Sequence, residues 1–161
     1  MQPKSVMFVC QGNICRSPLA QALFENRLEK RGIARRYRVD STGVSSYHAG
    51  ESSDRRMRET AARRGVRVDH RARAVTRRDL EEFDLILAMD RDNYSILRRK
   101  AHGDEQRDKI RMFRDFDPIS NGEIDVPDPW YGGIQGFEQV YGIVERTCEA
   151  LIDHLEDQPP T

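Results

Sequence analysis

Short apolar runs alternate along this chain with stretches whose apolar positions recur at helical spacing. Ser5–Cys10 (SVMFVC) is apolar, brief and closed by Gly12, which predicts a buried strand. From Ser17 the period lengthens. Leu19, Ala20, Leu23, Phe24 and Leu28 fall on one face of a helix, with Ser17 as N-cap, Pro18 at the first helical position and Gly32 as its stop. Tyr37–Ser41 predicts a second strand, opening into the polar loop TGVSSYHAGESSD. A helix follows from Asp54 to about Arg64, stopped by Gly65, and a short one starts at Thr76. Asp84–Met89 (DLILAM) predicts an interior strand, Asp90–Arg99 a helix, and Lys109–Phe113 a fourth strand. Residues 115–136, rich in Pro, Gly and Asp, read as loop. Phe137 to Leu155 closes the pattern as an amphipathic helix, with Val140, Val144, Cys148, Leu151 and Leu155 inward.

Strands alternating with helices predict an α/β fold: one domain over residues 1–161, a three-layer sandwich with a four-stranded parallel sheet between helices. Ligands of such sheets bind beyond the carboxyl ends of the strands, and residues 10–16 lie at such an end. There is no internal repeat, low-complexity tract or domain boundary.

Composition narrows the classes. The 161 residues are 37% hydrophobic and 34% charged, a globular balance. Lys plus Arg number 27 and Asp plus Glu number 27, so nothing points to nucleic acid or to a membrane surface. The N-terminal apolar run is too short for a signal peptide. Three cysteines are few and odd in number, which predicts a reducing cytoplasm and thiols kept for chemistry.

Two of those cysteines flank Gly12 and Asn13 in VCQGNICRS. A strand-to-helix loop aims backbone amides and the helix dipole at one spot, a cradle for a tetrahedral anion. Gly12 lets the backbone curl, and Asn13 tolerates left-handed dihedrals. Gln11, Gly12, Asn13, Ile14 and Cys15 would line the cradle, and Arg16 offers a planar fork to two phosphate oxygens. Cys10 begins the loop, where amides and Arg16 favour its thiolate and Ser17 can donate a hydrogen bond to the sulfur. A thiolate beneath a bound phosphate suits in-line attack, giving a phosphocysteine that water then hydrolyses. The leaving oxygen needs a proton, and Asp125 and Asp128 in IDVPDPWYGG are the candidate acids, with Trp130 and Tyr131 as aromatic walls.

Cys10, Gly12, Asn13, Cys15, Arg16, Ser17 and Pro18 match C-x-G-N-x-C-R-S-P, the signature of low-molecular-weight protein tyrosine phosphatases, and the chain resembles that family over essentially its whole length. Asp128-Pro129-Trp130-Tyr131 is similar to the family's general-acid loop, although Tyr more often stands where Trp130 does. Asp40-Ser41, His70 and Asp90 fit its intermediate landmarks. The resemblance implies Cys10 as nucleophile, Arg16 as phosphate ligand and Asp128 as acid and then base. It also implies Asn13, Ser17, Ser41 and His70 as a network holding the loop, and Tyr47, Trp130 and Tyr131 as cleft walls. It implies no metal or cofactor, tyrosine-phosphorylated proteins as partners, and a monomer or weak self-association.

Other residues have plainer roles. Cys15 is either packing or a disulfide partner for Cys10, and Cys148 is expected in the core. His48, His102 and His154 read as surface residues. The cysteines and histidines lack zinc-ligand spacing. Ten arginines against five acidic groups in residues 51–80 form either a solvated helix surface or a rim steering acidic partners. Rival activities are arsenate reduction, which lacks relay cysteines in Glu81 to Met89, and protein-arginine dephosphorylation. Members with the latter activity carry Thr where Ile14 presents an apolar wall suited to a phenyl ring. A non-catalytic phosphate-binding module would keep Arg16 but has no need of both Cys10 and Asp128.

Overall fold

The computed structural model describes residues 3–157. Their order is β1 (Lys4–Cys10), α1 (Arg16–Lys30), β2 (Tyr37–Gly43), α2 (Arg55–Ala62), α3 (Arg77–Glu82), β3 (Leu85–Ala88), α4 (Arg91–Lys100), α5 (Gly103–Lys109), β4 (Ile110–Met112) and α6 (Gly133–Glu156). The strands form one sheet in the order β2-β1-β3-β4, and every pair is parallel. The α/β architecture expected from the alternation is the one observed.

β1 shows why the sheet must be covered twice. Val6 and Phe8 pack with residues of α1 and α6, whereas Met7 and Val9 pack with Leu80, Phe83 and Leu97 on the opposite face. A strand buried on both sides reads as an unbroken apolar run, as this one does. Each such side chain contributes roughly 1.5–3 kcal/mol of burial. Phe8 adds edge contacts to Phe24 and Phe113, with ring centres 5.5 and 5.6 Å away.

The chain leaves β1 towards β2 on one side of the sheet and later returns to β3 on the other. The crevice at the end of β1 is therefore the switch point where ligands bind in such sheets. Cys10 pairs with Gly43 there.

Two local expectations need correction, at Ser17 and at the start of the last helix, and one helix had no counterpart in the pattern. Ser17 is not the N-cap of α1, which starts at Arg16 after Cys15, so Pro18 is its third residue. The Ser17 hydroxyl is turned to the loop instead. α5 arises from GDEQRDK, which has no apolar face to announce it. α6 begins at Gly133, four residues before its first buried apolar side chain, Phe137. Among the described residues, no helix is long and apolar enough to cross a membrane.

Candidate active site

The loop between β1 and α1 encloses a cleft of about 170 Å³, lined by Cys10, Ile14, Arg16, His48, Asp128 and Trp130 together with the loop backbone. The first turn of α1 carries no acidic residue and no side-chain cap, so its amides remain for an incoming anion.

Asn13 holds the loop in shape. Its φ of 59° is left-handed, which Asn accepts more readily than most residues. Its side chain is wholly buried and fully bonded. Nδ2 donates to Ser17 Oγ at 2.8 Å and Ser41 Oγ at 3.1 Å. Oδ1 accepts from the Arg73 N–H at 2.9 Å and lies 2.8 Å from His70 Nε2. An amide oxygen only accepts, so Nε2 carries the proton. Burial pushes the His70 pKa down, with Arg73 acting in the same direction, which favours the neutral ring with its proton on Nε2. Ser41 Oγ in turn donates to Gln21 Oε1 at 2.8 Å.

Ser17 lies 3.0 Å from Cys10 Sγ. Its oxygen already accepts from Asn13, so its single proton is available to the sulfur or to the Thr42 carbonyl at 3.2 Å. Arg16 is buried, and its Nη1 donates to Asp90 Oδ2 at 2.8 Å and to the Val126 carbonyl at 2.9 Å. Burial works against its charge, but Cys10, Asp90 and Asp128 outweigh that and raise its pKa. Asp90 also caps α4, accepting the Asn93 N–H at 2.8 Å. Val126, buried, bonds through its own N–H to the Met89 carbonyl at 2.8 Å, which ties the acid-bearing loop to the end of β3. Asp128 stands at the mouth with its side chain 44% exposed, Oδ2 3.7 Å from Arg16 Nη2. Its Oδ1 accepts the Trp130 N–H at 3.0 Å, capping a tight turn over Pro129–Tyr131.

A family model described as low molecular weight phosphotyrosine protein phosphatase matches residues 5–160. The chain belongs to that family. It is similar to a putative low molecular weight protein-tyrosine-phosphatase of Synechocystis, 43% identical over 93% of this chain and 95% of the relative. It is similar also to the crystal structure of a protein tyrosine phosphatase from Entamoeba histolytica, with 41% identity, a TM-score of 0.91, and 96% and 97% of the two chains covered. A drosophila arginine phosphatase shares 28% identity with a TM-score of 0.88, over 96% and 99% of the chains.

As a low molecular weight phosphatase, the chain brings most of its expected site residues together. Cys10, Gln11, Gly12, Ile14, Cys15, Arg16, Asp128 and Trp130 line one cleft, and Asn13, Ser17, Ser41 and His70 join beneath it. Tyr47 does not line the cleft: it is 83% exposed, and its ring meets His48 edge-on at 4.8 Å. His48, expected on the surface, takes the wall position instead. Its Nδ1 is 2.7 Å from Glu51 Oε2, and a Cβ at Gly12 would lie 2.8 Å from its Cδ2. Nothing in SSYHAG distinguishes the inward ring from the outward one before the loop is folded. Trp130 lies under the Arg56 guanidinium at 5.4 Å and beside His48. The side chain of Tyr131 lies outside the described residues.

Asp125 is not at the cleft. Its carboxylate accepts from the Arg91 N–H at 2.9 Å and from the Arg91 guanidinium. Cys148 is core, its thiol donating to the Ala20 carbonyl at 3.6 Å. Burial pushes the Cys15 thiol pKa up, and Asp54 and Cys10 add to it. The arginines of residues 51–80 are mostly engaged: Arg55 with Glu59, Arg56 with Asp54, Arg63 and Arg64 with Glu138, Arg73 with Asp40 and Asp79, and Arg78 with Glu82. The sequence reading missed Gly43. A Cβ there would meet Gln11 O at 2.9 Å, Gly12 C at 3.0 Å and Asn13 N at 3.1 Å, so the loop backbone rests on a bare Cα.

Proposed function

We propose that this protein hydrolyses phosphotyrosine on proteins through a phosphocysteine. The Cys10 thiolate attacks phosphorus while Arg16 holds two of its oxygens. The bond to the tyrosyl oxygen breaks as Asp128, protonated, gives its proton to that oxygen. Asp128, now a carboxylate, takes a proton from water, the water oxygen bonds to phosphorus, and the P–S bond breaks to release inorganic phosphate. Ser17 stabilises the sulfur as nucleophile and as leaving group. Ile14, His48 and Trp130 form the walls against which a phenyl ring lies.

The carrying observation is that Cys10, Arg16 and Asp128 meet in one cleft, with Asp128 at its mouth and Ser17 on the sulfur. The test is metal-free hydrolysis of a chromogenic aryl phosphate. Cys10→Ser should abolish turnover, and Asp128→Ala should slow it about 10²–10⁴-fold. Unchanged hydrolysis in Cys10→Ser would move the active site elsewhere. Faster turnover of phosphoarginine than of phosphotyrosine peptides would replace the substrate, despite the apolar Ile14 wall.

Three buried, unlinked cysteines suit a reducing compartment, and we place the protein in the cytoplasm. Cys10 and Cys15 share the loop, which supports reversible oxidation. Peroxide converts the Cys10 thiolate to a sulfenic acid, and Cys15 displaces water from it to form a disulfide. Because Cys15 is held as a thiol, that second step should quicken as pH rises. Mass spectrometry after mild peroxide checks it, and sulfinic acid at Cys10 with no link to Cys15 is the contrary result.

A further inference from the structure

Beside the catalytic loop, α2 and the segments 52–53 and 65–71 enclose a second cleft, of about 460 Å³. The segments are laced together by a bridge between Ser52 and Arg71 and by the backbone pairs Gly50 N–H to Ala72 O and Ala72 N–H to Glu51 O. Ala62, Val66 and Val68 give the cleft an apolar side. Arg58, Arg67 and Arg71 line it against a single acid, Asp69, so three positive charges less one negative leave two in excess.

Those cations are incompletely used. Arg58 Nε donates to the Ser53 carbonyl at 3.0 Å, and Arg71 Nη1 reaches only the Gly50 carbonyl at 3.5 Å. Neither has a carboxylate partner among the described residues. Among the described residues Arg67 has only Asp69, at 3.7 Å, with both side chains exposed. Ser53, another lining residue, is 3% exposed and buries its Oγ with no hydrogen-bond partner among the described residues. A buried hydroxyl without a partner is rare and costly in a finished fold. An apolar wall, unsatisfied guanidinium donors and an orphaned hydroxyl are the complement of one kind of ligand.

We propose that this cleft is a regulatory site for a small organic anion, a flat apolar body bearing a phosphate, sulfonate or carboxylate. Its oxygens accept from Arg67, Arg71 and Ser53, and its body lies on Ala62, Val66 and Val68. The site adjoins the catalytic loop at two points. His70 lines the cleft and meets Asn13 through Nε2, and Asp54, next to Ser53, donates its N–H to the Ile14 carbonyl at 2.7 Å. A ligand that shifts residues 53 or 70 therefore acts on Asn13 and Ile14, two residues of the catalytic loop, and the coupling is reciprocal.

Naphthalenesulfonate is the probe, titrated calorimetrically into the full chain with the catalytic loop filled by orthovanadate. One saturable site is expected. Arg67→Ala/Arg71→Ala should bind it at least about tenfold more weakly, as loss of charge-assisted hydrogen bonds requires. Ser53→Ala should weaken it several-fold while leaving the melting midpoint unchanged or raised, because the orphaned hydroxyl is gone. Saturating probe should change kcat on an aryl phosphate, which competition at Cys10 cannot do. Heats that never saturate, affinity indifferent to the arginine substitutions, complete displacement by orthovanadate, or an unchanged kcat would each overturn the assignment. The binding measurements stand even if the protein proves to turn over no phosphate ester.

Discussion

At the scale of single residues, the site depends on groups that never touch a substrate. Asn13 places both amide hydrogens and both oxygen lone pairs in bonds to four different residues. The left-handed backbone at this position is thereby fixed from the side chain, and the loop cannot relax without orphaning several buried groups. Gly43 acts by having no side chain. Gly43→Ala forces a Cβ into loop backbone atoms at 2.9–3.1 Å, and backbone cannot swing aside as a flexible side chain can. We expect about 1–3 kcal/mol of destabilisation, as for other overpacked sites. Activity should fall more steeply than the stability loss accounts for, because the displaced atoms belong to the cradle. Thermal melting beside steady-state kinetics on the same preparation checks this, and an alanine variant with normal kcat would show the loop to be softer than its contacts imply.

At the scale of elements, Asp90 serves two masters, one oxygen capping α4 and the other gripping Arg16. Asn caps helices about as well as Asp, but it cannot pair with a guanidinium as a charge. Asp90→Asn should therefore melt close to the parent protein while losing about 10–100-fold in kcat/KM, the worth of a charge-assisted hydrogen bond. Equal losses in both measurements would mean that the cap, not the arginine, is what matters. Elements with a strong apolar signature, such as β1, α1 and α6, were legible in the sequence, and so was the loop between the first two. α5 was not, because GDEQRDK presents no apolar face and forms on contacts its own residues do not advertise. The start of α6 was hidden by Gly133 and Gly136, which read as loop. Ser17 was misread locally for a tertiary reason: a hydroxyl fit to cap a helix had a better use on Cys10 and Asn13. The signature residues fixed who stands in the cleft, but not whether Tyr47 or His48 faces it, which depends on how the loop after β2 lies across Gly12.

At the scale of the molecule, two ionisable groups tie stability to acidity in separate windows. Burial depresses the His70 pKa below its ordinary 6.5, so between that lowered value and 6.5 the unfolded chain binds more protons than the folded one. Stability should start to fall as pH drops through 6.5, and His70→Gln should flatten that part of the curve. Asp117 acts further down. Burial opposes its charge, but Arg146, the Ile119 N–H and Arg114 together bring its pKa from 3.8 to about 2, so its contribution is lost between those values. Urea midpoints measured across pH separate the two, and a curve without a break near neutrality would remove His70 from the account. Asp117 also joins Arg146 of α6 to Arg114, whose Nη1 donates to the Asp125 carbonyl, so the segment carrying Asp128 hangs from the helical layer. One further consequence comes from the bonded state of Asn13. A cradle completed before any substrate arrives has no means of telling the phosphoryl group it attacks from the phosphate it releases. Inorganic phosphate, and mimics such as vanadate, should compete with substrate from the first turnover, so progress curves should bend early and the enzyme should work best where free phosphate is scarce.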